Sequence, residues 1–164
     1  SFIESVIASK VSVSNDDVRL YYKRNKGEFT RVLDEVRIEQ YIVKSKKVAD
    51  RLAASFNSKK NIDLSKFDIE LVKTETVQRG TFAKNIDDML FVKRREVVGP
   101  VVLGKDISVL KVLNINKQGS IKGLNDVYDE IYQRVFKIKS IEVQESLLDS
   151  LKKTVNISIN PKYQ

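Results

Sequence analysis

Neither cysteine nor histidine occurs in the 164 residues. Without them there is no disulfide scaffold, no thiol nucleophile, no serine–histidine triad and no ordinary zinc site. Proline occurs twice and glycine six times, too few for a long flexible linker. No run approaches ~18 consecutive apolar residues, the length a membrane-crossing helix needs. No internal repeat or low-complexity segment interrupts the pattern. Ser1 opens in mid-pattern, because Ser1–Ala8 reads as the end of an amphipathic helix. A targeting or anchoring segment is expected upstream of it.

What is present is a core and an excess of positive charge. Hydrophobic residues make up 41% and charged residues 32%, enough apolar surface for an ordered domain. The net charge is +8, and it is uneven. Residues 31–117 carry 18 basic and 12 acidic side chains, whereas 1–30 and 118–164 each carry a surplus of one. The basic words are Lys44/Lys46/Lys47, Lys59/Lys60 and Lys93/Arg94/Arg95. Such a face attracts acidic polypeptide, anionic lipid or nucleic acid, or is simply solvated. Aromatic residues do not alternate with the basic ones, which argues against single-stranded nucleic acid, and no nucleic-acid partner is expected.

The chain divides into helices and strands by period. Ser14 caps a helix with Asp16 and Asp17 in its first turn, where the helix dipole favours acids. Val18, Tyr21 and Tyr22 form its apolar face, and Gly27 is expected to stop it in the left-handed conformation. Glu35–Val43 alternates, placing Val36, Ile38, Gln40 and Ile42 on one face of a strand. A helix is expected at 45–56, a strand from Ile69 to Val77, and a short helix near Ile86–Phe91. Val97–Ile115 reads as a hairpin turning at Gly104-Lys105-Asp106, with Pro100 near a strand start. Leu124, Tyr128, Ile131, Val135, Ile138, Ile141, Leu148, Leu151 and Val155 then trace a helix of about 30 residues, ~45 Å long. Asn156–Pro161 is expected to be a short strand or extended tail.

Several of these words resemble a known family in order and spacing. Val11–Phe29, with Ser14, Asp16-Asp17-Val18 and Tyr21-Tyr22, is similar to the segment before the rotamase domain in bacterial extracytoplasmic foldases of the SurA, PrsA and PpiD type. Glu35–Val43 is similar to the first strand of a parvulin domain. Glu96–Val101 is similar to the element leading into its final hairpin, and the helix after Gly123 to the one that follows the domain. The resemblance implies an α+β fold: a parvulin-like antiparallel sheet at 31–117, an N-terminal helical segment at 1–30, and a long C-terminal helix and tail at 118–164 that packs on that segment. It also implies a periplasmic or other extracytoplasmic folding factor, which the lack of cysteine suits.

The departures from that family lie at its site. Gln40 and Ser108 stand where the resemblance implies histidines. The proline-gripping methionine and phenylalanine align near Thr81 and Asn85, or with a shift of one at Phe82 and Ile86. Gly80 is what remains of a glycine-rich stretch. The expected substrate-binding set is therefore Phe82, Ile86, Met89 and Phe91, with Gln40 and Ser108 as catalytic positions that are inactive or nearly so. Prolyl isomerisation twists an amide against a barrier of ~18–20 kcal/mol without breaking bonds, so histidine is not obligatory, and Gln40 with Ser108 offers a hydrogen-bonded pair. The expected partners are unfolded or newly translocated polypeptides, with no cofactor and no metal. A homodimer and an anchor outside this stretch are further expectations. The alternatives are an active isomerase with an atypical site and a structural or oligomerisation module. Asp16/Asp17 and Asp87/Asp88 point about 100° apart on a helix and form no acid–base or metal pair. Lys93-Arg94-Arg95 lacks the glycine-rich loop of a phosphate site.

Overall fold

The computed structural model describes residues 1–159. Among the described residues the fold is α+β, a four-stranded antiparallel sheet with five α-helices. The described residues form two compact units, one made of residues 1–30 and those from 121 onward, the other of residues 31–120. Among the described residues no helix is long and apolar enough to cross a membrane.

The helical unit contains α1 (Phe2–Lys10), α2 (Asn15–Arg24) and α5 (Leu124–Ile159). Ser14 accepts from the Asp17 amide while the Asp17 carboxylate accepts from the Ser14 amide, a reciprocal cap that fixes the start of α2. Gly27 does not end this helix in a left-handed conformation, contrary to the sequence expectation. Asn25 ends it instead at a negative φ of −124°, its side-chain amide donating to the Tyr21 carbonyl at 2.8 Å. Gly27 falls within a 3-10 turn, Lys26–Phe29, that carries Phe29 into the core. There Phe29 meets Val18 of α2 and Val127, Ile131 and Val135 of α5, with Tyr21, Tyr22, Tyr128 and Tyr132 around them. Those three α5 residues, spaced by four, form one helical face.

The long helix runs 36 residues, ~54 Å. Asn156–Ile159 is helical, not the strand or extended tail read from the sequence, and the rest of that tail lies outside the described residues. Once a helix exists, each added residue gains a hydrogen bond without a new nucleation cost, so a short β-branched alternation does not break it. Polar ties hold α5 to α2 and the turn. Lys139 Nζ donates to Asp17 at 2.7 Å and to the Ser12 carbonyl at 2.8 Å. Arg134 reaches Glu28 at 2.7 Å, and Tyr128 donates to Asn15.

The sheet unit contains β1 (Glu35–Val43), α3 (Lys46–Asn57), β2 (Ile69–Gln78), α4 (Lys84–Asp87) continued by one π-turn (Asp88–Val92), β3 (Val97–Leu103) and β4 (Asp106–Asn116). The strands lie in the order β2-β1-β4-β3. One sheet face, with Tyr41, Val43 and Val109, is covered by Ala49, Leu52, Ala53 and Phe56 of α3. The other, with Val36, Ile38, Leu110 and Val98, is covered by Ile86, Leu90 and Phe91. Pro100 sits inside β3, where the register breaks between Val98 and Val101. On an edge strand, at such a break, its missing N–H interrupts no ladder. The unit's two ends are tied together. Arg31 N–H donates to the Ser120 carbonyl and Gly119 N–H to the Arg31 carbonyl, both at 2.8 Å. The buried Arg31 guanidinium donates to Glu35 at 2.9 Å and to Ser120 Oγ at 3.1 Å.

Candidate functional site

Alternation along β1 and β4 places Gln40 and Ser108 on the same sheet face as Val36, Ile38 and Leu110. Gln40 lies opposite Leu110 and Ile42 opposite Ser108, so Gln40 and Ser108 are diagonal neighbours, within reach of each other's side chains. Gln40 Nε2 donates to Ser108 Oγ at 2.9 Å. Ser108 is 0% and Gln40 6% exposed. The pair is therefore an internal hydrogen bond between two buried neutral groups.

Gly99 explains how β3 comes this close. Its φ is +143°, and a Cβ there would lie 2.9 Å from the Ser108 carbonyl oxygen and 3.1 Å from the Val109 Cα. Only a residue without a side chain fits between β3 and the backbone carrying Ser108. The sequence showed Gly99 beside Pro100 but not what stands opposite it.

The segment after β2 supplies the apolar cover. The Gly80 N–H donates to the Asp87 carboxylate at 2.6 Å, and the Thr81 N–H to the Gln78 carbonyl at 3.1 Å. This folds 79–83 back onto α4. Asp87 is thus half of no carboxylate pair; it is a buried loop anchor whose signal in the sequence was only its seven-residue spacing from a glycine. Of the two alignments of the proline-gripping positions, Thr81 and Asn85 are exposed, whereas Phe82 and Ile86 pack on the core. Ile86 and Phe91 are buried within the cluster, while Phe82 and Met89 are partly buried against it. The structure gathers all four on one apolar cluster, on the face that carries Gln40 and Ser108.

Tyr41 points to the opposite face, with α3. Its hydroxyl donates to Glu39 at 2.7 Å. Burial first, and the Glu39 carboxylate second, push its ionisation well above the ordinary phenol range, so it has no acid–base role near neutrality. Lys93, Arg94 and Arg95 are exposed around a turn in which Arg94 takes φ +50°.

A second feature belongs to the helical unit. Phe2, Ile3 and Val6 of α1 face Gln144, Leu147, Leu148 and Leu151 of α5 across a cleft of about 140 Å³. Phe2 is 82% and Leu151 58% exposed, and Ile138, Ile141, Leu148 and Val155 are each about half exposed. The apolar repeat of α5 is thus buried only in its first half. The sequence showed the repeat but not where its cover stops.

No protein-family model and no curated protein matches the chain. Two solved chains are similar to it, both from work on the virulence factor PEB4 and the periplasmic protein Cj1289, described as structurally related SurA-like chaperones of the human pathogen Campylobacter jejuni. Sequence identity is 16% for one and 15% for the other, and each comparison covers 93% of this chain. This chain spans 66% and 57% of their lengths, with TM-scores of 0.38 and 0.39. The superpositions are loose.

Proposed function

We propose that this chain is a protein-folding factor that holds non-native polypeptides outside the cytoplasm, with a parvulin-type sheet unit whose prolyl isomerase activity is weak or absent. The observation that carries the reading is the uncovered apolar stretch of α1 and α5. A folded chain loses ~25 cal/mol for each Å² of apolar surface left in water, and contiguous exposed apolar surface marks a binding site. Non-native segments expose apolar side chains of their own and are natural occupants of such a cleft.

The weak or absent isomerase activity is supported by the Gln40–Ser108 pair. A catalyst for amide twisting offers polar groups to the bound peptide. Here the two polar groups at the family's catalytic positions are buried and directed at each other. Phe82 and Met89 leave partial apolar exposure against the cluster on the same sheet face, enough for contact with a peptide. The absence of cysteine suits an oxidising compartment.

The test is two assays on one preparation. Turnover of a proline-containing tetrapeptide is expected to stay near the spontaneous rate. Aggregation of a chemically unfolded test protein is expected to be suppressed, and suppression to fall when Leu148 or Leu151 is changed to aspartate. Fast turnover abolished by Gln40→Ala or Ser108→Ala would instead establish an active isomerase. Failure to suppress aggregation at any ratio would remove the folding-factor reading.

A further inference from the structure

The sheet unit has an unfinished edge. β3 pairs with β4 from Leu103↔Asp106 to Val97↔Lys111, and the Val112 N–H donates to the Glu96 carbonyl at 2.8 Å. Residues 93–96 then turn away, with the Arg95 N–H donating to the Met89 carbonyl at 3.0 Å. β4 runs on to Asn116, paired with β1 on its other side. Among the described residues no strand continues β3 beside Leu113–Asn116. The vacated lane is a groove of about 460 Å³, lined by Val112, Leu113, Asn114 and Ile115 of β4 together with Phe56, Glu96, Val97 and Lys111. Leu113 is 44% exposed in it.

The two sides of this lane differ. On the α3 side the Lys111 ammonium lies 5.2 Å from the centre of the Phe56 ring. At the rim Lys59 meets Glu96 at 3.6 Å, so Glu96 is already matched; Glu39, opposite Lys111 on β1, accepts from Tyr41, and among the described residues Lys111 has no carboxylate within salt-bridge distance. On the other side Val112 and Ile115 present half-buried apolar surface packed on the core. An open strand edge offers backbone donors and acceptors in a row, and an extended chain completes it by pairing.

We infer that the lane beside Leu113–Asn116 is a strand-addition site for an extended, acidic segment of polypeptide. Such a segment continues the line of β3, places acidic side chains toward Lys111 and apolar ones toward Val112 and Ile115, and alternates between them as a strand must. Its charge is set by Lys111 and by the basic surplus of residues 31–117. This rests on the reading that the chain holds polypeptides, but at a site other than the α1/α5 cleft.

The probes are two labelled peptides, one alternating valine with glutamate and one alternating valine with lysine. Binding is read by fluorescence anisotropy, and its location by amide hydrogen exchange. The glutamate peptide is expected to bind more tightly and to slow exchange within Leu113–Asn116 by about tenfold or more, as pairing does for a protected strand. Lys111→Glu is expected to weaken it by about fivefold and Lys111→Gln by about twofold, magnitudes typical of a surface ion pair. If the peptide binds without slowing those amides, and Leu148→Asp abolishes binding, the strand-addition site is wrong and the folding-factor reading stands. If neither peptide binds and aggregation is not suppressed, both fall. Equal affinity for the two peptides overturns the acidic preference.

Discussion

The buried Gln40–Ser108 bond allows a quantitative test of how the sheet unit is held together. Ser108→Ala leaves the Gln40 amide without its acceptor inside the sheet, and Gln40→Leu leaves the Ser108 hydroxyl without its donor. A buried polar group stripped of its partner costs about 1–3 kcal/mol. Replacing both with apolar groups of similar shape removes the polar atoms together, and that exchange is nearly neutral. Leucine approximates glutamine in volume, and alanine differs from serine by one oxygen, so packing changes little. Each single variant is therefore expected to lose about 1–3 kcal/mol, and the double variant to lie within about 1 kcal/mol of the parent. For a unit of this size the single losses correspond to roughly 4–8 °C of melting temperature per kcal/mol. The chain has no tryptophan, and its two units need not unfold as one. Amide exchange of β1 and β4 residues such as Val109 and Leu110 is therefore the appropriate readout. Single losses that simply add in the double variant would refute the coupling. So would single variants as stable as the parent, because a sealed hydrogen bond cannot be removed from one side at no cost.

Two further outcomes concern the helical unit. Asp17 has its pKa lowered from 3.8 to about 2, first by the hydrogen bond from Lys139 and then by those from Ser14. A depressed folded-state pKa contributes stability above the unfolded value and loses it as pH falls through the folded one, so the packing of α2 on α5 is expected to weaken between about pH 4 and 2. Carboxyl titration followed by NMR should find Asp17 near 2, moved back toward 3.8 in Lys139→Met. An unmoved value in that variant would mean that Lys139 is not the cause. Along α5, Ile131→Asp places a charge at a fully buried position and should destabilise this unit by several kcal/mol. Leu148→Asp, at a half-exposed position, should change melting by no more than about 0.5 kcal/mol; equal damage at both positions would contradict the half-covered helix.

Much of the fold was legible because its signals are local. Ser14 with Asp17 marks a helix start wherever it occurs, since both partners lie within one turn. The alternation of Val36, Ile38, Gln40 and Ile42 fixed which β1 residues share a face, because strand period is set by backbone geometry. The first half of α5 followed from residues spaced at three and four. The failures were also local. Asn25 rather than Gly27 ends α2, its backbone and side-chain amides both donating to the Tyr21 carbonyl, and helix propagation overrode the β-branched residues near the end of α5.

The sequence by itself determined which residue types meet at the site: without histidine, positions 40 and 108 hold only neutral hydrogen-bonding groups, whatever the fold does with them. Tertiary structure alone decided that these two groups face each other, because Gln40 and Ser108 are 68 residues apart and meet only through the pairing of β1 with β4. It alone decided that Asp87 anchors Gly80, that Gly99 clears the Ser108 backbone, and that β3 ends before β4 does. It also decided where the cover of α5 stops. A periodic pattern states which face of a helix or strand is apolar; what covers that face depends on contacts between segments far apart in the chain, which no local pattern encodes.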